Sequence, residues 1–345
     1  MAKQNNSVQT LRGLAIILVV MGHVIGYKGD EGMKVADDSF WRYLYYSLEY
    51  FRMPLFTVIS GWVYTLRPLT KETFVKFLNG KARRLLVPLM AVGLLYFITR
   101  LITPGTNREV HISEIWQIFV FKYDLYWYLP SLFWVFVVIS FIEYRALMKT
   151  ITGWTVVLII SILMLTIRNI YLTETPNYFG IIGMFYLIPF FIIGIGIGRF
   201  HSLMSNKIFV SIMTFLFILG IIIQQLTWFN VIELPFHGKS SPLGLLVGMT
   251  GTIVLFRVRL INRWLVYIGG FSYAIYLFHV FGTASSRIVL LKLGFDNQIV
   301  IFLVSLTIGI IVPIIIELII DKFKLTRFLF LGRQYSLPRN DNTKK

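Results

Sequence analysis

The sequence predicts an all-α, polytopic membrane protein of about ten transmembrane helices with both termini cytoplasmic. Three observations carry that expectation. Hydrophobic residues make up 57% of the 345-residue chain and charged residues only 14%, with a mean hydropathy of +0.73; soluble domains carry about 25% charged residues. The apolar residues fall in runs of roughly 17–25, the length that crosses a bilayer as a helix. The basic residues gather in every second loop, the pattern of a positive-inside membrane protein.

In chain order, the runs predict spans over 11–27, 43–66, 85–102, 126–143, 153–170, 180–198, 208–229, 242–257, 264–286 and 298–320. The first run keeps polar residues and has no small-residue cleavage site, so it reads as a retained helix and not a signal peptide. The fifth ends in Arg168-Asn169. The eighth is short, and its Gly244, Gly248 and Gly251 suit close helix packing. With the N-terminus inside, 22 of the 33 Lys and Arg residues fall on the inner side, seven of them beyond residue 320. Asp30, Glu31, Asp37, Asp38 and Glu174 are among the acids that fall outside. The net charge of +17 therefore reads as cytoplasmic-loop charge and not as a nucleic-acid footprint. Residues 1–320 form one integral membrane domain and 321–345 a basic cytoplasmic tail. In that tail Lys322, Phe323, Lys324, Leu325, Arg327 and Phe328 alternate in a way that suits the inner leaflet, and 338–345 are expected to be disordered. The chain has no cysteine, which excludes disulfides, thiolate metal sites, a protein thioester and S-palmitoylation.

An ionisable side chain within a span is costly and is functional by default. Arg12 stands at the inner mouth of the first span. His23 follows eleven residues later, close to three turns on and about 16 Å further across, on the same helix face. Arg52 in the second span and His279 in the ninth each lie fifteen residues from the inner end, about 22 Å deep. His23, Arg52 and His279 thus reach a similar level. His23 can act as a general base, since an imidazole titrates near neutrality, and Arg52 or His279 can hold the oxyanion of an acyl transfer. No Walker-type loop, His-Glu-x-x-His or dense carboxylate cluster offers another engine, so neither a metal nor a bound cofactor is expected. Ser60-Gly61 lacks the Gly-x-Ser-x-Gly context and reads as a close-packing pair. Arg83 and Arg84 precede Leu85 and abut the expected helix start, where peptide dipoles favour an anion. They are either ordinary positive-inside residues or, with Arg12, a site for the phosphates of a cytosolic acyl donor. Tyr126, Trp127 and Tyr128 form either an interfacial aromatic belt or a stacking surface for a sugar.

Several motifs stand in a fixed order: Leu11-Arg-Gly-Leu-Ala…Met-Gly-His23, Phe51-Arg-Met-Pro-Leu-Phe-Thr-Val-Ile-Ser-Gly61, Lys81-Ala-Arg-Arg-Leu-Leu-Val-Pro88, Trp127-Tyr-Leu-Pro-Ser-Leu-Phe133 and Phe271-Ser-Tyr-Ala-Ile-Tyr-Leu-Phe-His279. By these the chain resembles the membrane-bound acyltransferase 3 family, and in the Trp127 segment its fucose O-acetylase-like subgroup. The resemblance implies transfer of an acyl group, usually acetyl, from cytosolic acyl-CoA to a carbohydrate hydroxyl at or beyond the outer face of the cell membrane. It implies roles for Arg12 and His23, for Arg52, and for Arg83 and Arg84 as acyl-CoA ligands. Trp127, Tyr128 and Tyr276 become candidates for binding the acceptor. Membrane lipids and glycan-synthesis machinery are the further partners expected, and nucleic acid is not. Some members carry a fused extracytoplasmic hydrolase-like domain that is not seen here. Pro130 departs from the family pattern and is expected to kink the fourth helix. The rival reading, a transporter or flippase of a lipid-linked saccharide, would call for Pro/Gly-interrupted helices in matching halves, which the sequence does not display.

Overall fold

The computed structural model describes residues 5–67, 69–70, 72–104, 106, 110–120, 124–236 and 238–334. Lys3, Lys71, Arg108, Glu109, Lys122 and the expected disordered stretch 338–345 lie outside the described residues. The main helices are α1 (Asn6–Ile25), α2 (Phe40–Thr65), α3 (Phe74–Ile102), α4 (Tyr128–Tyr144), α5 (Ile151–Tyr171), α6 (Ile181–Arg199), α7 (Lys207–Trp228), α8 (Pro242–Val258), α9 (Arg263–Gly270), α10 (Ser272–Lys292), α11 (Gln298–Ile320) and α12 (Lys324–Leu331). No strand occurs among the described residues. The protein is an all-α polytopic membrane protein. A helix occupies each expected span, and among the described residues eight stretches are long and apolar enough to cross a bilayer by length and composition alone, α4 only when counted within Ile112–Tyr144. The other two are α2, whose apolar run is diluted by Arg42, Glu49 and Arg52, and α8, which has only 17 residues.

Several helices begin where a short polar side chain takes up orphan backbone donors. Asn5 accepts from the amides of Ser7 and Val8, Ser39 from Arg42, Ser241 from Gly244, and Asn297 from Ile299 and Val300. At α8 the cap is followed by Pro242, whose missing N–H is one of those orphans.

The centre of the bundle is α6, buried along nearly its whole length, and α1, which packs among α2, α9, α10 and α11. Exposed Ile159 and Leu163 on α5, and Ile212, Phe215 and Ile218 on α7, mark these two as lipid-facing. Lipid tails are as apolar as leucine, so helices in a bilayer gain from close backbone approach at small residues. Gly61 of α2 and Gly194 of α6 meet in this way: a Cβ on Gly61 would strike the Phe191 carbonyl, and one on Gly194 the Val58 carbonyl. Gly248 of α8 fits against Pro54 and Phe190. Two arginines then fix the loop after α1 through its carbonyls. Arg42 donates to Gly26 and Val35, and Arg287 of α10 donates to Gly32.

Three sequence expectations are corrected. The ninth span is not one helix. The chain breaks at Phe271, and α9 is a separate short helix bent 120° from α8. It crosses α1 where Gly13 meets the Leu265 carbonyl and Gly269 meets Gln9. Pro130 does not kink α4, because the helix begins at Tyr128 and the proline sits in its first turn, where no intrahelical donor is needed. Nor do Arg83 and Arg84 abut a helix start. The helix α3 begins at Phe74, since an amphipathic stretch extends it below the apolar run, and the helix-terminus argument for an anion there fails.

A chain of contacts puts both described ends on one face. Gln9 abuts Gly269, Tyr273 donates to the Arg84 carbonyl, and Arg83 Nε donates to the Gly332 carbonyl at 3.0 Å. The helix α12 is tied down further by Arg333, which pairs with Glu317 and Asp321, and by Arg327 with Asp321 at 3.1 Å.

The glycine crossing is testable. Gly61→Leu or Gly194→Leu should overpack the α2–α6 contact and remove about 1–3 kcal/mol of stability, read as a lower thermal midpoint of the detergent-solubilised protein. Gly80→Ala, where a Cβ meets nothing within 4 Å, should not lower it.

Candidate active site

The helix period sets Tyr45, Glu49 and Arg52 on one face of α2 at intervals of four and three residues. On α1 the facing residues are Gly22 and His23. The Arg52 guanidinium lies directly on Gly22, in the space that any Cβ would take. It also stacks over the Tyr45 ring, 4.0 Å from its centroid, a cation–π contact strengthened by distance from water. Glu49 is within electrostatic reach of Arg52 and of Lys239. The Lys239 ammonium in turn stands 5.0 Å from the Trp127 ring and 5.9 Å from that of Tyr186.

All of these but Tyr186 line a cavity of about 460 Å³. Its upper wall is made by Tyr27 and Glu31 beyond the end of α1, Thr103 and Thr106 beyond α3, and Arg287 near the end of α10. It therefore opens on the face opposite the N-terminus. His23 forms part of its floor. Behind His23, away from the lining, is His279: the two ring centroids are 4.9 Å apart and the planes are inclined by 37°. His279 is 1% exposed, and its Nδ1 lies 3.0 Å from the Ile275 carbonyl and 2.9 Å from that of Tyr276.

The structure thus brings His23, Arg52 and His279 together. The depth argument for His279 used the wrong ruler, since the residue is only seven positions into α10, about 10 Å along it. Before α10 begins the chain crosses α1 at Gln9 and Gly13. Trp127 lines the cavity; Tyr128 and Tyr276 are buried and do not. The Tyr276 hydroxyl donates to the Leu125 carbonyl at 3.0 Å, and that of Tyr126 to Leu277 at 2.9 Å, which stitches α10 to the turn preceding α4. Arg12 is half-buried and makes no hydrogen bond or ion pair among the described residues. Arg84 is exposed, whereas Arg83 is engaged with Gly332. Lys81 points its ammonium 3.7 Å from the Phe136 ring centroid and 5.0 Å from that of Phe77. Among the cavity residues missed from sequence are Tyr45, Glu49 and Lys239. The signal for Tyr45 and Glu49 was their shared face with Arg52; Lys239 sits in a loop and gave none.

Residues 5–318 match the model of the acyltransferase 3 family, described as an acyltransferase domain. The chain belongs to this family. It is a membrane acyltransferase, multi-pass, and the match takes in α1 to α10 and most of α11 but not α12. No curated protein and no solved structure gives a significant match.

In this acyltransferase the Gly22–Arg52 contact allows a clean test. Gly22→Ala meets only the tip of a flexible side chain, so the protein should fold normally while the guanidinium is pushed aside. Transfer should fall by about 10²-fold or more, the effect of losing a charge-stabilising donor, in protein that is still inserted and monodisperse.

Proposed function

We propose that the protein is an O-acyltransferase of the cell membrane that moves an acetyl or other short acyl group from cytosolic acyl-CoA to a hydroxyl of a cell-surface or lipid-linked glycan. The observation that carries this reading is the position of His23. It is at the floor of a polar, aromatic-walled cavity that opens opposite the N-terminal face. Three turns below it on the same helix is Arg12, a half-buried guanidinium without a partner among the described residues. The distribution of Lys and Arg makes the N-terminal face cytoplasmic. Donor and acceptor then approach one imidazole from opposite sides.

The chemistry follows from the groups present. An acceptor hydroxyl enters the cavity beside Trp127, whose ring suits the apolar face of a sugar. His23 takes the hydroxyl proton as the oxygen attacks the thioester carbonyl. The C–O bond forms, the C–S bond breaks, and the departing thiolate recovers the proton from the imidazolium. Arg52 is placed to balance the charge that gathers on the carbonyl oxygen. The CoA phosphates fall to Arg12 and Arg84, with Arg83 available through its terminal nitrogens. An acyl-histidine on His23 would use the same groups in two steps.

His23→Ala should lower transfer of labelled acetyl from acetyl-CoA to membrane glycan by about 10³-fold, within the range for removing a general base, in protein that is still inserted and monodisperse. Full activity of that variant would sink the reading. Arg84→Gln should leave the saturated rate near normal and raise KM for acetyl-CoA about tenfold, which a substrate titration would detect.

A further inference from the structure

His279 does not line the cavity, yet its ring is beside His23, the one imidazole among the described residues that does. Its hydrogen bonds decide what it can do there. Both partners of Nδ1 are backbone carbonyls, which accept and have no hydrogen to give. The ring hydrogen of neutral His279 must therefore be on Nδ1, and Nε2 carries a bare lone pair. That Nε2 is buried and has no hydrogen bond among the described residues. A neutral His279 so arranged cannot donate to an oxyanion, because its one N–H is already spent on Ile275 and Tyr276. It can only accept.

The ring next to it is His23. A ring nitrogen lies about 1 Å from its centroid, so a centroid separation of 4.9 Å permits an N···N distance of about 3 Å after a small ring rotation. The other groups around the pair are less suited to satisfy Nε2. The Tyr276 ring is 6.4 Å from His279 and its hydroxyl is occupied by Leu125. The Arg52 guanidinium is committed to the space over Gly22 and Tyr45, and Lys239 stands at the Trp127 and Tyr186 rings.

We propose that His279 is a positioning residue that accepts the N–H of His23 and so fixes the tautomer of His23, leaving the other His23 nitrogen bare toward the cavity. This rests on the reading of His23 as the base. The Ile275 and Tyr276 carbonyls hold His279 in one tautomer, His279 holds His23 in one tautomer, and the free lone pair at the end of the chain is the one that receives the acceptor's proton. When His23 becomes an imidazolium, the hydrogen bond to His279 persists and is strengthened by the charge. No proton leaves His23 in that direction; it returns to the thiolate, so the transfer remains balanced without help from His279. Oxyanion stabilisation falls to Arg52.

The experiment uses full-length protein in native membranes, labelled acetyl-CoA as donor and the membrane glycan as acceptor. His279→Leu should lower kcat on the order of 10²-fold while KM for acetyl-CoA moves less than about twofold. His279→Gln should recover at least about tenfold of that loss, since its carboxamide keeps both a donor and an acceptor. Combined with His23→Ala, His279→Leu should add no further loss, because it acts through His23. As a readout independent of turnover, ¹⁵N NMR of histidine-labelled protein, which has five histidines, should show one His23 tautomer in the parent and a mixture in His279→Leu. Equal impairment of the Leu and Gln variants, or an unchanged His23 tautomer, would overturn the proposal. Normal activity of His23→Ala would instead overturn the base assignment, so the two failures are distinct.

Discussion

Everything in the candidate site depends on a guanidinium held deep in a membrane bundle against bare backbone. An arginine within a span is tolerated only when it faces the interior and finds compensation. Arg52 does so by stacking on Tyr45, by sharing its surroundings with Glu49, and by taking the space left open at Gly22. That placement brings the charge against the residue preceding His23. It also explains the local composition of two helices at once. A glycine is needed on α1 because an arginine needs the room, and the arginine is affordable on α2 because α1 gives it that room.

The same logic runs through the scaffold. Close approach of backbones at Gly61–Gly194 and at Gly13–Leu265 brings α2 onto α6 and α9 across α1. Once helices meet at such points, their side chains have little freedom to slide. Arginines complete the rim. Arg42 and Arg287 donate to loop carbonyls and so shape the loop above the site.

Much of this was legible in the sequence. Apolar runs located the helices, and costly residues in them located His23, Arg52 and His279. What escaped did so for local reasons. The break at Phe271 interrupts a stretch that is apolar on both sides, and its one signal was the pair Gly269-Gly270. The start of α3 at Phe74 was hidden because residues 74–84 are amphipathic and not uniformly apolar. The role of Pro130 turned on a boundary two residues later than expected, which moved it from helix interior to first turn. Hydrogen-bond direction at His279 has no signature in sequence at all, since it depends on a ring rotamer and two carbonyls of its own helix.

One consequence concerns how the protein is made. Arg83 Nε is bound to the Gly332 carbonyl across 249 residues, and the Asn262 amide is bound to the Thr10 hydroxyl across 252. The first and third helices are among the earliest to enter the membrane during synthesis, but the groups that close around their inner ends are among the last to leave the ribosome. Until then Arg12 and Arg83 stand beside an unfinished wall. The contacts that close around the inner ends of α1 and α3 can therefore form only after most of the chain has been made.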